Sequence, residues 1–416
     1  MVRRQRYRSA LLTAGTVLVV ALLATAAACS TGNGGGGGTA SSSPASAIVV
    51  GADASLSGPL AGFGAYEKWA FDAVIADINA QGGVTVDGLQ HKVTGVLLDD
   101  KSDPNVAAGN IDTLVTKNGA VALLGPVTPA VSNAASLAAE QQGVPYVETG
   151  SQLEPFRAVK PQWKWAFDFF FAAPDLAAGA FQWPKDLGID RQTNMKYVVS
   201  VDNSPDGPLF IKQIEAAGKA GGWTLAMSET HPSNSTQFGG LIDKLKASGA
   251  DYIIVLGDTQ EHVALRKQMD AAGYKPKILY LVRGAQQQQF ADALGALANG
   301  VVVESYWLPE MPYPGAAALG ARFRKESGQS VSQILGLEYT ATQIILESIA
   351  KADSTDPQKI ADAIGSTDSI YVGGPVKFAA DHTSVTPLFF TQWQNGKSVI
   401  IWPKAVADGQ IVIPLP

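Results

Sequence analysis

Cysteine is nearly absent from this chain. Cys29 is the only one in 416 residues, so no intrachain disulfide can form. Charge is sparse as well: 16% of residues are charged, with a net charge of −6. No basic stripe is available to neutralise phosphates, which argues against a nucleic-acid partner. The four histidines, His91, His231, His262 and His382, are scattered, with no pair at helical ligand spacing. The sequence therefore supports no metal and no cofactor. It has no Gly-x-Ser-x-Gly elbow for a serine hydrolase. Two near misses for phosphate chemistry also fail. Gly62-Phe63-Gly64 follows a strand pattern and precedes a helix pattern, but the third glycine position holds Glu67, and the segment reads as a tight turn. Asn395-Gly396-Lys397-Ser398 lacks the required earlier glycine, where Thr391 stands, and Asn-Gly between strand-like flanks reads as a hairpin. With no catalytic constellation, an enzyme is not expected.

What is present begins with a basic-then-apolar leader. Arg3, Arg4, Arg6 and Arg8 precede an apolar core from Leu11 to Leu23, and Ala26-Ala27-Ala28 forms a small-residue site just before Cys29. This arrangement resembles a bacterial lipoprotein signal peptide, which implies cleavage after residue 28 and a lipid anchor on Cys29. An ordinary secretory leader or a short membrane anchor is the alternative. The Gly/Ser run from Gly32 to Pro44 behaves as flexible coil, so residues 29–46 read as a tether. Past the leader, no segment offers about eighteen uninterrupted apolar residues, and the mature protein is expected to be soluble apart from its anchor.

The remainder is too long for one ordinary domain and comfortable for two, and 46% hydrophobic residues is a globular composition. Ile48 to Ala52, Val93 to Leu98, Val121 to Leu124 and Val144 to Val147 are continuously apolar, as strands buried on both faces are. Helical patterns separate them: Phe71, Val74, Ile75 and Ile78 share one face, and Asp103-Pro104 reads as an N-cap followed by proline at the first helical position. A second series follows at Tyr197 to Val201, Tyr252 to Leu256, Ile278 to Val282 and Val301 to Val303, with helical stretches such as Leu241 to Ala247 and His262 to Ala272 between. This alternation predicts two α/β lobes with parallel sheets. A third block, with helices at Ala316 to Glu326, Gln333 to Ala352 and Pro357 to Ile364 and later strand-like runs, is too small for its own core. It is expected to return and complete the first two lobes across a hinge. Ligands of open α/β sheets bind outside the carboxyl ends of the strands, so two facing lobes define a cleft.

Gly51-Ala52, Ser57-Gly58-Pro59-Leu60, Gly64, the run Asp77 to Val84, Asp99 to Pro104 and Gly125-Pro126 together resemble the leucine/isoleucine/valine-binding family. These are type I periplasmic solute-binding proteins of ABC importers. The likeness runs from about Ile48 to Trp393. It implies two Rossmann-like lobes with parallel sheets joined by a three-crossover hinge: residues 47–168 plus about 305–385, and residues 169–304 plus about 386–416. It also implies a monomeric extracytoplasmic receptor, anchored to the cell membrane through Cys29, that delivers a small polar solute of amino-acid or organic-acid type to an ABC permease. A ligand sensor of the same fold that signals to a membrane partner is the alternative, and nothing in the chain separates the two.

Carried over position by position, the resemblance makes Phe63, Thr128, Ser151, Gln152, Asp206, Asp258, Thr259 and Arg283 the candidate ligand contacts. Several depart from the family pattern. Thr128-Pro129 stands where the family has paired serines, and proline removes a backbone donor. Asp206 replaces a stacking ring. Arg283 occupies the place of a glutamate that pairs with the α-ammonium of an amino acid. A desolvated guanidinium there would repel an ammonium and favour a carboxylate, so the expectation is that the protein does not bind branched-chain amino acids in the family pose and prefers a solute with an acidic or hydrogen-bond-accepting group near Arg283. Two other readings stay open: Arg283 pairs with Asp206 or Asp258 across the cleft, or it lies outside the pocket. Tyr306 and Trp307 read as packing residues, and Asp99, Asp100 and Asp103 as structural ones.

Overall fold

Continuous apolar strands form where the sequence is β-branched, and they gather into two sheets. The computed structural model describes residues 46–204 and 207–416. The leader, Cys29 and Asp206 lie outside the described residues. The first sheet runs in the order Thr383–Val385, Ala166–Phe170, Tyr146–Glu148, Ala122–Leu124, Ile48–Ala54 and Val93–Asp99, with every pairing parallel. The second runs Lys397–Trp402, Phe389–Gln394, Val301–Ser305, Ile278–Arg283, Tyr252–Gly257, Lys196–Asp202 and Thr224–His231. Its last five strands are parallel, but Phe389–Gln394 and Lys397–Trp402 pair antiparallel at one edge. Both lobes are thus built on parallel sheets, as expected, and the second adds an antiparallel two-strand edge at the hairpin read from Asn395-Gly396. Asn395 and Gly396, with φ of 52° and 76°, close that pair as a two-residue hairpin, a geometry whose twist suits right-handed strands.

The chain passes between the sheets after Phe170, returns after Ser305, and passes again between Val385 and Phe389. On its return, the helix Ile334–Ala352 packs against the helix Ala61–Ala80, and Thr383–Val385 joins the first sheet beside Ala166–Phe170. Aromatic rings hold the crossings together. Tyr306 meets Phe170 at 4.7 Å and Phe171 at 6.0 Å. Trp307 is fully buried, and its indole N–H donates to the Val372 carbonyl at 2.8 Å. One continuous apolar core runs from the inner face of the first sheet through these rings to the inner face of the second.

The strand Ala166–Phe170 escapes a reading based on β-branched runs, because its sequence is Ala-Phe-Asp-Phe-Phe and Asp168 is fully buried at its centre. Gly62 to Gly64 form the first turn of the helix Ala61–Ala80 rather than a tight turn. A Cβ on Gly64 would lie 2.1 Å from the Ser55 carbonyl oxygen, so glycine lets the helix start press against the strand end. Asp103 caps the helix Pro104–Thr116 by accepting from the Asn105 N–H at 2.7 Å. Among the described residues, no helix is long and apolar enough to cross a membrane.

Gly336 has no space for a side chain, since its Cβ would fall 2.2 Å from the Trp307 ring. Gly336→Ala is expected to cost about 1–3 kcal/mol through overpacking at the hinge. A lowered urea midpoint with an unchanged slope would register it, and a midpoint equal to wild type would refute it.

Candidate functional site

Because the first sheet is wholly parallel, its strands deliver their carboxyl ends to one side, and buried carboxylates tie the emerging loops together. Glu67, on the helix Ala61–Ala80, accepts from the Val127 N–H at 2.7 Å and the Ser55 N–H at 3.3 Å. Ser55 in turn donates its hydroxyl to Asp100 at 2.7 Å. Asp99 accepts from the N–H groups of Leu56 and Ser57 at 3.0 and 3.1 Å and from the Ser57 hydroxyl at 2.7 Å. Although desolvation pulls the Asp99 carboxyl up, the bonds from Ser57, Lys101 and Leu56 hold it below its ordinary value. Asp99, Asp100 and Asp103 are loop-building residues, as expected.

On this frame sit the first-lobe candidates. Phe63 is half-buried in the first helical turn, packed against the main core. Thr128 precedes the helix Pro129–Gln142 with φ of 85°, a conformation β-branched residues avoid, and its hydroxyl oxygen is buried without a partner among the described residues. Ser151 is buried, and Gln152 precedes the helix Leu153–Val159 with its side-chain oxygen likewise buried and unpartnered among the described residues. A Cβ on Gly150 would touch Val127 at 2.6 Å, so the loops carrying Thr128 and Ser151-Gln152 are in contact. Those three residues share one end of the first sheet.

At the corresponding end of the second sheet, Asp258-Thr259 follow one strand and Arg283 ends the next. The Thr259 hydroxyl donates to the Gly284 carbonyl at 2.7 Å, which joins the two loops. The Arg283 guanidinium donates from Nε to Asp258 at 3.0 Å and from Nη2 to Asp202. Its backbone N–H donates to Glu304 at 2.8 Å, with φ of 70° and ψ of −75°. Asp202 is 1% exposed and Asp258 59%, and both belong to the same lobe as Arg283. The pairing with Asp258 is therefore not across the cleft. Among the described residues, the Arg283 guanidinium is therefore shared between two carboxylates rather than presented as an unopposed cation.

Asp202, Asp258 and Glu261 have carboxylate oxygens within 4.8 Å of one another and are close enough to share a cation. The guanidinium already bonds two of the three. Behind them, burial, with Arg283 and His231 adding to it, drives His262 down to about 3. Burial also lowers His231, whose Nδ1 shares a hydrogen bond with the Ser200 hydroxyl at 3.0 Å. Both rings are neutral near pH 7. Burial pushes Glu304 up to about 7, against the stabilising N–H of Arg283 and amide of Gln286. Asp202, Glu304 and Glu67 are the site residues that pattern reading missed. Asp202 ends an apolar strand, and Glu304 is a lone carboxyl within Val-Val-Val-Glu-Ser. Both are detectable as buried charges that demand partners.

Compared with known proteins, residues 47–398 match the model of the periplasmic binding protein family. The Leu/Ile/Val-binding protein homolog 7 of Brucella abortus is 26% identical over 386 residues, covering 88% of this chain and 94% of that protein. The branched-chain amino acid transporter substrate-binding protein LivJ of Streptococcus pneumoniae, solved with isoleucine, superposes with a TM-score of 0.73 at 23% identity, over 88% of this chain and all of that one. An ABC transporter substrate-binding protein of Desulfitobacterium hafniense, solved with Leu, gives 0.70 at 19% identity, over 85% of this chain and 99% of that one. At these identities, the structural likeness establishes the fold.

The buried carboxyls make a pH prediction. Burial raises Glu67 and Glu148 to about 8. Such groups contribute stability that is complete below their unfolded value of roughly 4.3 and is lost as pH rises through the folded value. The lowered histidines oppose this trend only below their unfolded value of about 6.5. The urea midpoint is therefore expected to fall between pH 7 and 8.5, and Glu148→Gln should shallow that fall. A level midpoint across this window would contradict the assignment.

Proposed function

The chain belongs to the periplasmic binding protein family, and we propose that it is an extracytoplasmic receptor that captures an amino-acid-type solute between its lobes and delivers it to an ABC importer. Cys29 serves as its lipid anchor on this reading. Lipid chains there would hold it to the membrane at about 0.8 kcal/mol per buried methylene.

The observation that carries the reading is the unlike character of the two strand-end faces. The first-lobe face has the N-termini of the helices Ala61–Ala80 and Pro129–Gln142, with the polar atoms of Thr128, Ser151 and Gln152 beside them. Helix N-termini favour a carboxylate. The second-lobe face has Asp202 and Asp258 around a single guanidinium, which favours an ammonium. A zwitterion spanning the cleft satisfies both, and a simple organic acid satisfies one. This choice sets aside the acid preference expected from Arg283, because the guanidinium bonds Asp258, a partner the sequence left open, and Asp202. The names of the relatives, which refer to leucine, isoleucine and valine, agree with an amino acid.

Thermal unfolding scanned against branched-chain amino acids, other amino acids, dicarboxylates, amides and sugars tests the reading. A ligand at a hundredfold its dissociation constant stabilises by about 2.7 kcal/mol, a shift of roughly 2–4 °C or more in a protein of this size. Amino acids are expected to produce it and acids lacking an ammonium are not. Asp258→Asn should weaken amino-acid binding roughly fivefold by removing half of the neutralising charge. If only dicarboxylates shift the melting point, the second-lobe face acts as a cation and the zwitterion reading fails.

A further inference from the structure

We propose that Glu304 is the positioning residue of the second-lobe face: its carboxylate fixes the backbone turn at Arg283 and thereby sets where the guanidinium and Asp258 meet the solute. This rests on the reading of the cleft as an amino-acid site. Arg283 is a non-glycine residue with φ of 70° and ψ of −75°, a conformation that persists only where surrounding bonds over-determine it. Glu304 supplies that restraint from the neighbouring strand. One carboxylate oxygen takes the Arg283 N–H at 2.8 Å and the Gln286 side-chain amide at 2.5 Å. Those bonds grip the turn at both ends, Arg283 and Gln286. Within the turn, the Gly284 carbonyl accepts from Thr259 and the Ala285 carbonyl from the Trp393 indole at 2.8 Å. Glu304 is 2% exposed and sits one residue before the end of Val301–Ser305, the strand that leads into the crossing at Tyr306. It therefore connects the binding face to the hinge.

The bond to Arg283 is charge-assisted only when Glu304 is ionised, so the device is proton-linked. The groups facing it are Tyr280 on the adjacent strand, Tyr306 at the crossing, and Arg283 and Gln286 on the turn. Burial raises both tyrosines above their ordinary value, and they stay neutral near pH 7. Through Arg283, the device also meets Asp202 and Asp258, with Glu261 bonded to the Asp258 N–H and the two histidines behind. Ionising Glu304 makes the face more negative and holds the turn, so amino-acid affinity rises as pH rises through neutrality. By linkage, binding an ammonium expels the Glu304 proton.

The test follows the Arg283 backbone amide by NMR in the purified, isotope-labelled protein from pH 5.5 to 8.5, with leucine binding measured by calorimetry in parallel. In wild type the amide resonance is expected to move with a midpoint near neutrality, and leucine to bind roughly fivefold tighter at pH 8 than at pH 6. Glu304→Gln should hold both level, and Glu304→Asp should restore a titration with a displaced midpoint. An Arg283 amide with no inflection in wild type overturns the proposal, whether or not leucine binds, and needs no variant to fold. An amide that titrates in a protein that binds no amino acid supports the positioning role and refutes the amino-acid reading of the site.

Discussion

A buried carboxyl group accepting backbone N–H groups is the interaction on which both strand-end faces depend. In the first lobe Glu67 reaches from a helix to the loops after two strands, at Ser55 and Val127. In the second, Glu304 reaches from one strand to the turn after the next, at Arg283. Neither acid is near solvent, and each would be costly without those donors. The donors, in turn, lie in loops whose backbone is strained or tightly packed, at Thr128 and Arg283. Acid and loop thus require each other. Rigid loops on rigid sheets are what a binding face needs, because every group it offers must be in place before the solute arrives.

The fold was legible because burial on both faces writes itself as unbroken apolar runs. Ile48–Ala54, Tyr252–Gly257 and Ile278–Arg283 are such runs, and the structure extends them by only a residue or two. Less legible were strands whose burial is not expressed in β-branched residues. Ala166–Phe170 is aromatic with a buried aspartate at its centre, and Thr224–His231 is an exposed edge. The return of the third block to the first sheet depends on Thr383–Val385, three residues whose register against Asp168 to Phe170 no local pattern encodes.

Candidate site positions could be named from the sequence, but not all of their charge partners could. Asp258 and Arg283 were singled out through the family resemblance, and they lie at the carboxyl ends of two parallel strands, where ligands collect. The sign of the face could not be read that way, since the carboxylate that neutralises Arg283 most deeply, Asp202, lies 81 residues earlier in the chain. A single arginine read alone predicts an anion site. The same arginine bonded to Asp202 and Asp258 is no longer an unopposed cation. Pairing with acids distant in the chain is a tertiary property, and the identity of one residue does not determine the field it takes part in.

Unlike faces also bear on how such a protein would close. A solute that binds one lobe gains nothing from the other and cannot shift the balance of open and closed forms, however tightly it is held. Moving that balance from mostly open to mostly closed takes roughly 5.5 kcal/mol of preference for the closed form. Contacts that exist only when both lobes reach the same molecule must supply it. On the proposed reading, a carboxylate held at helix N-termini on one side and an ammonium held by Asp258 and Asp202 on the other would divide that preference between two charge-assisted sets of bonds, each worth more once water is excluded. The hinge that must bend lies beside one of these sets, because Glu304 and Tyr306 are neighbours on the same strand exit and Tyr306 packs against Phe170 and Phe171 from the other lobe. A solute that lacks either charge engages only one lobe, and on this geometry it would be bound without being enclosed.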